Sequence, residues 1–485
     1  MSPETEHQTP HLSATLFLAC LAQFMVILDV SVVNVALPAI RTGLHFTEVD
    51  LQWVVNAYTV TFAGFLLLGG RAADLLGRRS VFVAGLGLFA LASLAGGLSD
   101  SRDVLIAARA VQGLGGAVIA PASLSILTTT FAEGPARNRA VGIWGAMGGA
   151  GGAAGVLLGG ILTDLLSWRW ILFINVPIGL LAAIAAQRLL LESRNERGTR
   201  NFDLMGALSA TVGLSLLVLG IVRTDQTGWG DSSTLAVIAA GIVLLAAFVV
   251  IEGRFARAPL MPLRIYRSRT LSAANVVMLM LGAGAFGMWF FVSLYLQQVL
   301  GYSPIRAGLA FLPMTLAIVV CSTLASRLVT RIGSKPMLII GMLSLTVGLI
   351  WFTRISAHGT YLSDMLGASL LTAIGLGLSM VPAAISAVAG VAPQEAGLAS
   401  GLVNTARLFG GALGLAILAA IATAHTNSDL HRGVAEHVAL TNGFQIAFWV
   451  AAAFSVTGAL VAAFGMPRVV RRPAEVRAGV SVESA

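Results

Sequence analysis

Apolar runs of about twenty residues follow one another along almost the whole chain, separated by short polar segments. An α-helix rises about 1.5 Å per residue, so each run is long enough to cross the apolar core of a bilayer. Fourteen runs predict spans at 14–40, 52–70, 80–98, 104–128, 140–162, 169–190, 204–222, 233–251, 270–296, 306–326, 336–353, 363–388, 398–424 and 443–466. The pattern therefore indicates an all-α membrane protein whose two termini lie on the same side.

The composition supports this interpretation. Of 485 residues, 57% are hydrophobic and only 11% are charged, whereas a soluble chain carries about 25% charged residues. The first twelve residues contain no lysine or arginine, and the run that follows exceeds a signal-peptide core, so we expect an uncleaved first span. Cys20 and Cys321 both fall in apolar runs, which excludes a disulfide framework or a cysteine metal site.

The distribution of basic residues predicts the orientation. Of the 30 lysines and arginines, 21 fall in one set of loops with the C-terminal tail and seven in the opposite loops. Because cytoplasmic loops collect these residues, we expect both termini to be cytoplasmic and the protein to lie in the cell (inner) membrane. The formal net charge of +8 is spread over short loops, which argues against a nucleic-acid partner.

Two segments of the chain repeat. RAADLLGRR at 71–79 follows the second predicted span, and RLVTRIGSK at 327–335 follows the tenth. Paired halves with a site at their interface are typical of transporters. We therefore predict an N-terminal tail (1–13), a six-helix bundle (14–190), a linker with two accessory helices (191–268), a second six-helix bundle (269–466) and a C-terminal tail (467–485).

Three charged side chains fall clearly inside spans: Asp29, Arg109 and Arg407. A charge at mid-membrane costs about 2.5–3.5 kcal/mol even on the lenient insertion scale, so such residues are functional candidates. Asp29 is the one acid near the middle of a span and is the candidate for proton coupling. The alternative is a structural hydrogen bond to Gln23, Asn34 or a neighbouring helix.

The two arginines each have a polar neighbour on the same helical face. Arg109 is followed by Gln112 three residues later, and Arg407 is preceded by Asn404. Arg109 could pair with Asp29 in a bond that opens during transport, or in a permanent structural ion pair. Arg407 would be the counterpart of Arg109 in the second half.

Polar and aromatic side chains within the spans are candidates for a substrate cavity. They are Gln23, Asn34, Asn56, Gln112, Trp289, Tyr295, Asn404 and Arg407. Few fixed charges and many apolar groups favour amphipathic or aromatic substrates. Aromatic residues near span ends can equally be anchors at the membrane interface.

Two further features suggest conformational change. Asp74 lies among arginines after the second span and could form a latch between helices, or be a solvated loop acid. Gly151, Gly155 and Gly159 recur at four-residue spacing in the fifth span, where small residues bring helix backbones together. That face could slide during gating or serve tight packing alone.

Two other patterns are set aside. The sequence GAGAFG at 282–287 fits a dinucleotide fingerprint but lies in an apolar span with no preceding strand. His425, His431 and His437 are predicted to lie in a solvated loop rather than a metal site.

Several segments resemble motifs of the major facilitator superfamily, in particular its fourteen-spanner drug:proton antiporter branch (EmrB/QacA-like). They are LDVSVVNVALP in the first span, GRAADLLGRR after the second and RAVQGLGGA in the fourth. Also similar are SWRWILFINVPIG, YLQQVLGYSPIRAGLAFLP and AGLASGLVNTARLFGGALG. The resemblance covers essentially the whole chain. It implies the major facilitator fold: two six-helix bundles around a central cavity, plus two inserted transmembrane helices.

The resemblance also implies roles for individual residues. Asp29 would couple to protons, with Arg109, Gln112 and Gly113 taking part in proton transfer. The conformational latch would consist of Gly70, Asp74, Gly77, Arg78 and Arg79. In the fifth span, Gly155, Gly159 and Gly160 match the antiporter motif, with Val156 where proline is usual; the base usual after Asp74 is replaced by Leu75.

The expected function is proton-coupled efflux of hydrophobic or amphipathic small molecules such as antibiotics. The alternative on the same fold is a narrow exporter, or a symporter, of one dedicated metabolite. We expect no enzymatic activity, since no cluster of histidines or carboxylates lies near a span end, and no cofactor besides protons as the coupling ion. The expected partners are the substrate and the bilayer, and the expected state is a monomer.

Overall fold

The computed structural model describes residues 12–132, 135–193, 203–228, 230–256, 259–389, 391 and 396–467, and within these ranges the secondary structure is helical, without strands. In this part of the chain, fourteen helices are long and apolar enough to cross a membrane. We number them α1 (Leu12–Leu44), α2 (Trp53–Leu76), α3 (Arg78–Gly97), α4 (Arg102–Thr130), α5 (Pro135–Leu165), α6 (Asn175–Leu189), α7 (Leu204–Thr227), α8 (Ser232–Val250), α9 (Arg269–Leu294), α10 (Pro304–Ile332), α11 (Ser334–Phe352), α12 (Gly367–Val388), α13 (Ala396–His431) and α14 (Glu436–Leu460). The predicted all-α, fourteen-span architecture is confirmed. Most of the two predicted tails, and residues 194–202 of the linker, lie outside the described residues.

The repeated segments have the same backbone geometry. Gly77 separates α2 from α3 with φ at 115°, and Gly333 separates α10 from α11 with φ at 90°. A positive φ in this region favours glycine, because a Cβ would clash with the following backbone. The glycine shared by the two segments therefore makes the same sharp turn in each half.

The predicted histidine loop is wrong. His425 and His431 lie on α13, and His437 lies on α14. The helix continues past the apolar run because Asp429 finds polar partners there: its carboxylate accepts hydrogen bonds from Arg432 and Asn442. Polar contacts thus extend a helix beyond the point where hydrophobicity stops predicting it.

The two six-helix halves, α1–α6 and α9–α14, share a hydrophobic core at one end of the molecule. This end includes Leu44 and Pro304, and we call it the closed end. Here Leu37 of α1 and Leu294 of α9 belong to one buried cluster. Hydrogen bonds also join the halves: the Ser293 hydroxyl donates to the carbonyl of Asn34, and the Gln297 amide donates to that of Val35.

Helices α5 and α10 diverge away from the closed end. Gly142 and Gly160 are 18 residues apart on α5 and so lie on the same helical face. A Cβ on Gly160 would lie 2.6 Å from the carbonyl oxygen of Pro304 on α10, whereas one on Gly142 would have no neighbour within 4 Å. The seam between the halves is therefore closed at one end and open at the other, which we call the open end.

The inserted helices α7 and α8 lie at the side of this seam. Helix α7 packs against α2 of the first half and α13 of the second, whereas α8 packs mainly on α7. A Cβ on Gly64 of α2 would overlap the Thr211 hydroxyl of α7, so glycine is what allows the two helices to approach. Because α7 contacts both halves, it is placed to move with either.

Candidate functional site

Asp29 lies at the centre of a polar network inside the first half. Its Oδ2 accepts a hydrogen bond from Arg109 Nη1, forming a salt bridge. Its Oδ1 accepts from Gln112 Nε2 at 2.8 Å and from Asn175 Nδ2 at 2.9 Å. Asp29 has 0% and Arg109 2% of its surface exposed. The carboxylate thus has an ionic partner and two amide donors, and no contact with water in this conformation.

Arg109 is held by neighbours other than Asp29. Its Nε donates to the carbonyl of Val54 at 3.0 Å, and its Nη1 donates to Gln112 Oε1 at 2.8 Å. The guanidinium carbon lies 4.5 Å from the centre of the Tyr58 ring, which adds a cation–π contact. These contacts hold the guanidinium in place without Asp29. A change of charge at Asp29 therefore removes the ionic partner of Arg109 but not the contacts that position it.

A glycine on α4 makes this arrangement possible. Gly113 comes one turn after Arg109, and a Cβ there would clash with the carbonyl oxygen of Tyr58 and the hydroxyl of Thr61 on α2. The Thr61 hydroxyl also donates to the carbonyl of Ala110. The backbones of α2 and α4 are therefore close enough for Arg109 to reach Val54.

The partners of Asp29 lie on neighbouring helices, as the structural alternative allows, and its role in proton coupling remains a prediction. The structure contains the Asp29–Arg109 pair, and Asn34 instead donates its amide to the carbonyl of Val30 on its own helix. The prediction that Gln112 lines the substrate cavity is wrong for this conformation. Gln112 and Asp29 have no exposed surface, because five helices of the first half enclose them.

Two members of the network were missed from the sequence. Asn175 at the start of α6 donates to Asp29, and Ser93 of α3 accepts from Gln112 at 2.7 Å. Asn175 carried a signal, since it is a polar residue within a predicted span. Ser93 carried none, because serine is common in membrane helices and its partner lies on another helix.

Of the predicted cavity residues, four retain partial exposure: Gln23, Trp289, Asn404 and Arg407. The guanidinium of Arg407 donates to Asn404 Oδ1 at 3.0 Å, and its central carbon lies 5.9 Å from the centre of the Phe286 ring. Among the described residues, no carboxylate forms a salt bridge with Arg407. Arg407 is therefore a half-buried cation held by neutral groups.

The other cavity predictions are wrong for this conformation. Asn56 and Tyr295 have no exposed surface, and Asn34 lies in the closed seam. Asn56 donates to Gln52 on the preceding turn, and the Tyr295 hydroxyl donates to the carbonyl of Ser356 in the second half. Each side chain thus has a hydrogen-bond partner within the packed protein, which its position in a span could not indicate.

The predicted latch residues form contacts within the first half. Asp74 pairs with Arg78 at 2.8 Å and accepts from Ser125 of α4 at 3.1 Å.

Arg79 approaches Glu192, which follows α6, and the Glu192 carboxylate also accepts from the Ser80 backbone. A Cβ on Gly77 would lie 2.7 Å from the Glu192 carboxylate, and Gly70 packs near Pro121. That these contacts between helices act as a latch that holds one conformation remains a prediction.

The glycine face of α5 lies against α1. A Cβ on Gly151, Gly155 or Gly159 would lie 2.5–2.9 Å from atoms of α1, including the carbonyls of Phe24, Leu28 and Val32. Gly160 faces α10 instead, beside the buried side chain of Val156. Helix α5 thus packs within its own half on one side and forms the seam on another.

Comparison with known proteins agrees with this architecture. The sequence profile of the Major Facilitator Superfamily matches residues 19–415 and 274–483. The chain is 45% identical to a cephamycin export protein of Amycolatopsis lactamdurans, over 87% of each chain. It is 39% identical to a puromycin resistance protein of Streptomyces alboniger, over 90% of this chain and 86% of the relative. Its fold is similar to a bacterial homologue of the human lysosomal transporter Spinster, solved in an inward-facing, unoccupied conformation: TM-score 0.66, 16% identity, 94% of this chain and 97% of the other covered.

Proposed function

The chain belongs to the major facilitator superfamily and to its drug-exporting branch, and on this premise we propose that it exports amphipathic, antibiotic-like molecules in exchange for protons. The observation that carries the proposal is the enclosed Asp29–Arg109–Gln112–Asn175 network in a half whose contact with the other half closes at one end. Export and resistance relatives at 45% and 39% identity support the direction and the substrate class.

The closed end would face the outside of the cell. The arginine-rich loops after α2 and α10 lie at the other end, and such loops are typical of the cytoplasmic side. The structure would then be the inward-open state, which takes up substrate from the cytoplasm or the inner leaflet. The path runs between two halves of one chain, so a monomer would be sufficient for transport.

A proton would drive the switch between states through Asp29. In the enclosed network the carboxylate balances Arg109, so the site is neutral as a whole. Protonation removes the negative charge and leaves Arg109 without its ionic partner in a buried position, which is costly. The structure around the pair must then change to supply water or another acceptor. One charge moving through 100 mV supplies about 2.3 kcal/mol, enough for roughly a fortyfold gradient of a neutral substrate.

A reconstituted system tests this proposal. Vesicles containing the protein, with an acidic lumen and ethidium outside, should accumulate the dye while the lumen loses protons. A proton-permeant ionophore should dissipate the pH gradient and so abolish the accumulation of dye. A symporter would not accumulate the dye, because protons leaving the lumen would drive its substrate outward; the absence of accumulation would contradict the proposal.

Resistance assays then separate broad from narrow export. Expression in a sensitive host should protect against several unrelated compounds, including ethidium and puromycin. Protection against one compound alone would support the dedicated exporter in its place.

Arg407 is the group most suited to bind a polar or anionic part of the substrate. It is half-buried, lies among neutral neighbours and presents donors in a fixed fork. A hydrogen bond to a charged partner contributes about 1.5–3 kcal/mol. We expect Arg407→Gln to raise KM roughly ten- to hundredfold for a substrate with a carboxylate, such as cephamycin.

The comparison substrate and the control variant make this prediction specific. Ethidium, which has no carboxylate, should show little change in KM in the same variant. Arg331→Gln, at an exposed position in the last turn of α10, should leave both values unchanged. An equal rise in KM for the two substrates would show that Arg407 maintains the structure and does not bind the anion.

A further inference from the structure

A second group of buried acids lies outside the Asp29 network, in the two inserted helices. Asp203 is the N-cap of α7, and Glu252 lies in the π-helical turn Ile251–Phe255 that continues α8. Their exposed fractions are 7% and 4%. In the sequence each residue lies at the edge of an apolar run, and no pattern there predicts that the two acids meet.

The two carboxyl groups are in contact. A Cβ placed on Gly206 would lie 2.5 Å from Asp203 Oδ2 and 2.9 Å from Glu252 Oε1, so the two carboxylate oxygens lie beside the same small space. The two side chains are within hydrogen-bonding reach of each other. Asp203 Oδ1 accepts from the Gly206 N–H at 2.7 Å, whereas Oδ2 is buried without a hydrogen-bond donor among the described residues.

Glu252 also holds the chain that leads to the second half. Its Oε1 accepts from the N–H of Leu260 at 3.2 Å, and its Oε2 accepts from that of Met261 at 2.8 Å. These residues belong to the linker between α8 and α9. The acid pair is therefore the point where the start of α7, the end of α8 and the linker meet.

Two ionised carboxylates cannot remain in contact when both are shielded from water, because their repulsion favours the form with one proton shared. The charged groups on the surrounding elements are Arg71 and Asp74 of α2, Arg254 beside Glu252, Arg264 and Arg267 in the linker, and Arg407 of α13. Asp74 is engaged by Arg78. In the described part of the chain, no salt bridge includes either Asp203 or Glu252.

We propose that Asp203 and Glu252 form a second proton-binding site, in which one shared proton fastens the linker at 260–261 to the start of α7. The protonated carboxyl donates to the other, and the unpartnered Asp203 Oδ2 is the atom that completes this bond. Loss of the proton leaves two repelling anions and releases the linker. Since α7 contacts both halves, the proton state of the pair determines how firmly the insert is tied to the second half.

Infrared spectroscopy of the purified protein without substrate tests the site directly. At neutral pH the wild type should show the carbonyl stretch of a buried protonated carboxyl, and this band should disappear as pH rises. Asp203→Asn and Glu252→Gln should each remove the band. Asn is also a good N-cap, so Asp203→Asn preserves the start of α7.

Asp231→Asn is the matched control, because Asp231 is the half-buried N-cap of the other inserted helix. The hydroxyl of Ser233 donates to its carboxylate, which lowers the pKa of Asp231, so this acid is ionised at neutral pH. The control variant should keep the band. It should also keep the wild-type change of stability with pH.

Thermal unfolding gives a second measurement. The shared proton stabilises the fold while it is bound, so the melting temperature of the wild type should fall as pH rises through its release. Asp203→Asn and Glu252→Gln should lack this step. A band that persists in both variants, or an unchanged pH dependence of melting, would overturn the proposal. Neither measurement depends on transport, so the outcome is independent of whether Asp29 couples export to protons.

Discussion

Asp29→Asn is expected to abolish substrate accumulation driven by a pH gradient, lowering the accumulation ratio from roughly tenfold per pH unit, for exchange of one proton, to one. Asparagine has nearly the same shape and can still accept hydrogen bonds from Gln112 and Asn175. It cannot exchange a proton, and it leaves Arg109 permanently without an ionic partner. The variant should therefore exchange labelled for unlabelled substrate without concentrating it.

The measurement follows dye and proton movement together in vesicles that contain each variant. Asp100→Asn is the matched control: Asp100 also pairs with an arginine, Arg169, at 2.9 Å, but its side chain is 91% exposed. The control should transport like the wild type. Undiminished gradient-driven accumulation by Asp29→Asn would show that the buried network is structural.

Gly160→Leu is expected to reduce transport at least about tenfold by preventing closure between α5 and α10. A leucine there would overlap the carbonyl of Pro304 and the backbone of Ile305. Overpacking of a tight contact costs about 1–3 kcal/mol, which at the upper end shifts a two-state equilibrium more than a hundredfold. The conformation in which the closed end of the seam is separated should then accumulate.

Cysteine labelling detects this shift. Val156 is buried in the seam with 1% of its surface exposed, and we expect Val156→Cys to react with an impermeant thiol reagent from the closed end much faster when Gly160→Leu is also present. The native Cys20 and Cys321 are replaced by serine beforehand. Gly87→Leu, on α3 away from the seam and with no neighbour within 4 Å of its Cβ, should leave both transport and labelling unchanged. Equal labelling with glycine or leucine at 160 would contradict the model of gating at this seam.

Hydrophobic patterning predicted the number of helices because the length of a membrane helix is set by the bilayer. It did not predict where α13 ends, since the last turns depend on Asp429 and its partners on α14 and in the following turn. Likewise, the repeat predicted two related halves, whereas the divergence of α5 from α10 depends on contacts between helices distant in sequence.

The candidate site, like the fold, was predicted only in part from the sequence. Asp29 and Arg109 stand out because charge is rare in spans, and their pairing could be suggested on that basis. Ser93 and the Asp203–Glu252 pair could not be predicted, because their roles depend on neighbours that only the fold brings close to them. Conversely, Asn56 and Tyr295 looked like ligand contacts until the packing showed partners for each of them.

The enclosed network lies wholly within α1–α6, whereas Arg407 lies on α13. Although the halves descend from one repeated pattern, they are therefore no longer chemically interchangeable. In the proposed mechanism, substitutions around Arg407 can therefore change the substrate while the proton-coupling network stays intact. Such a separation would allow similar exporters to diverge in substrate and keep one source of energy.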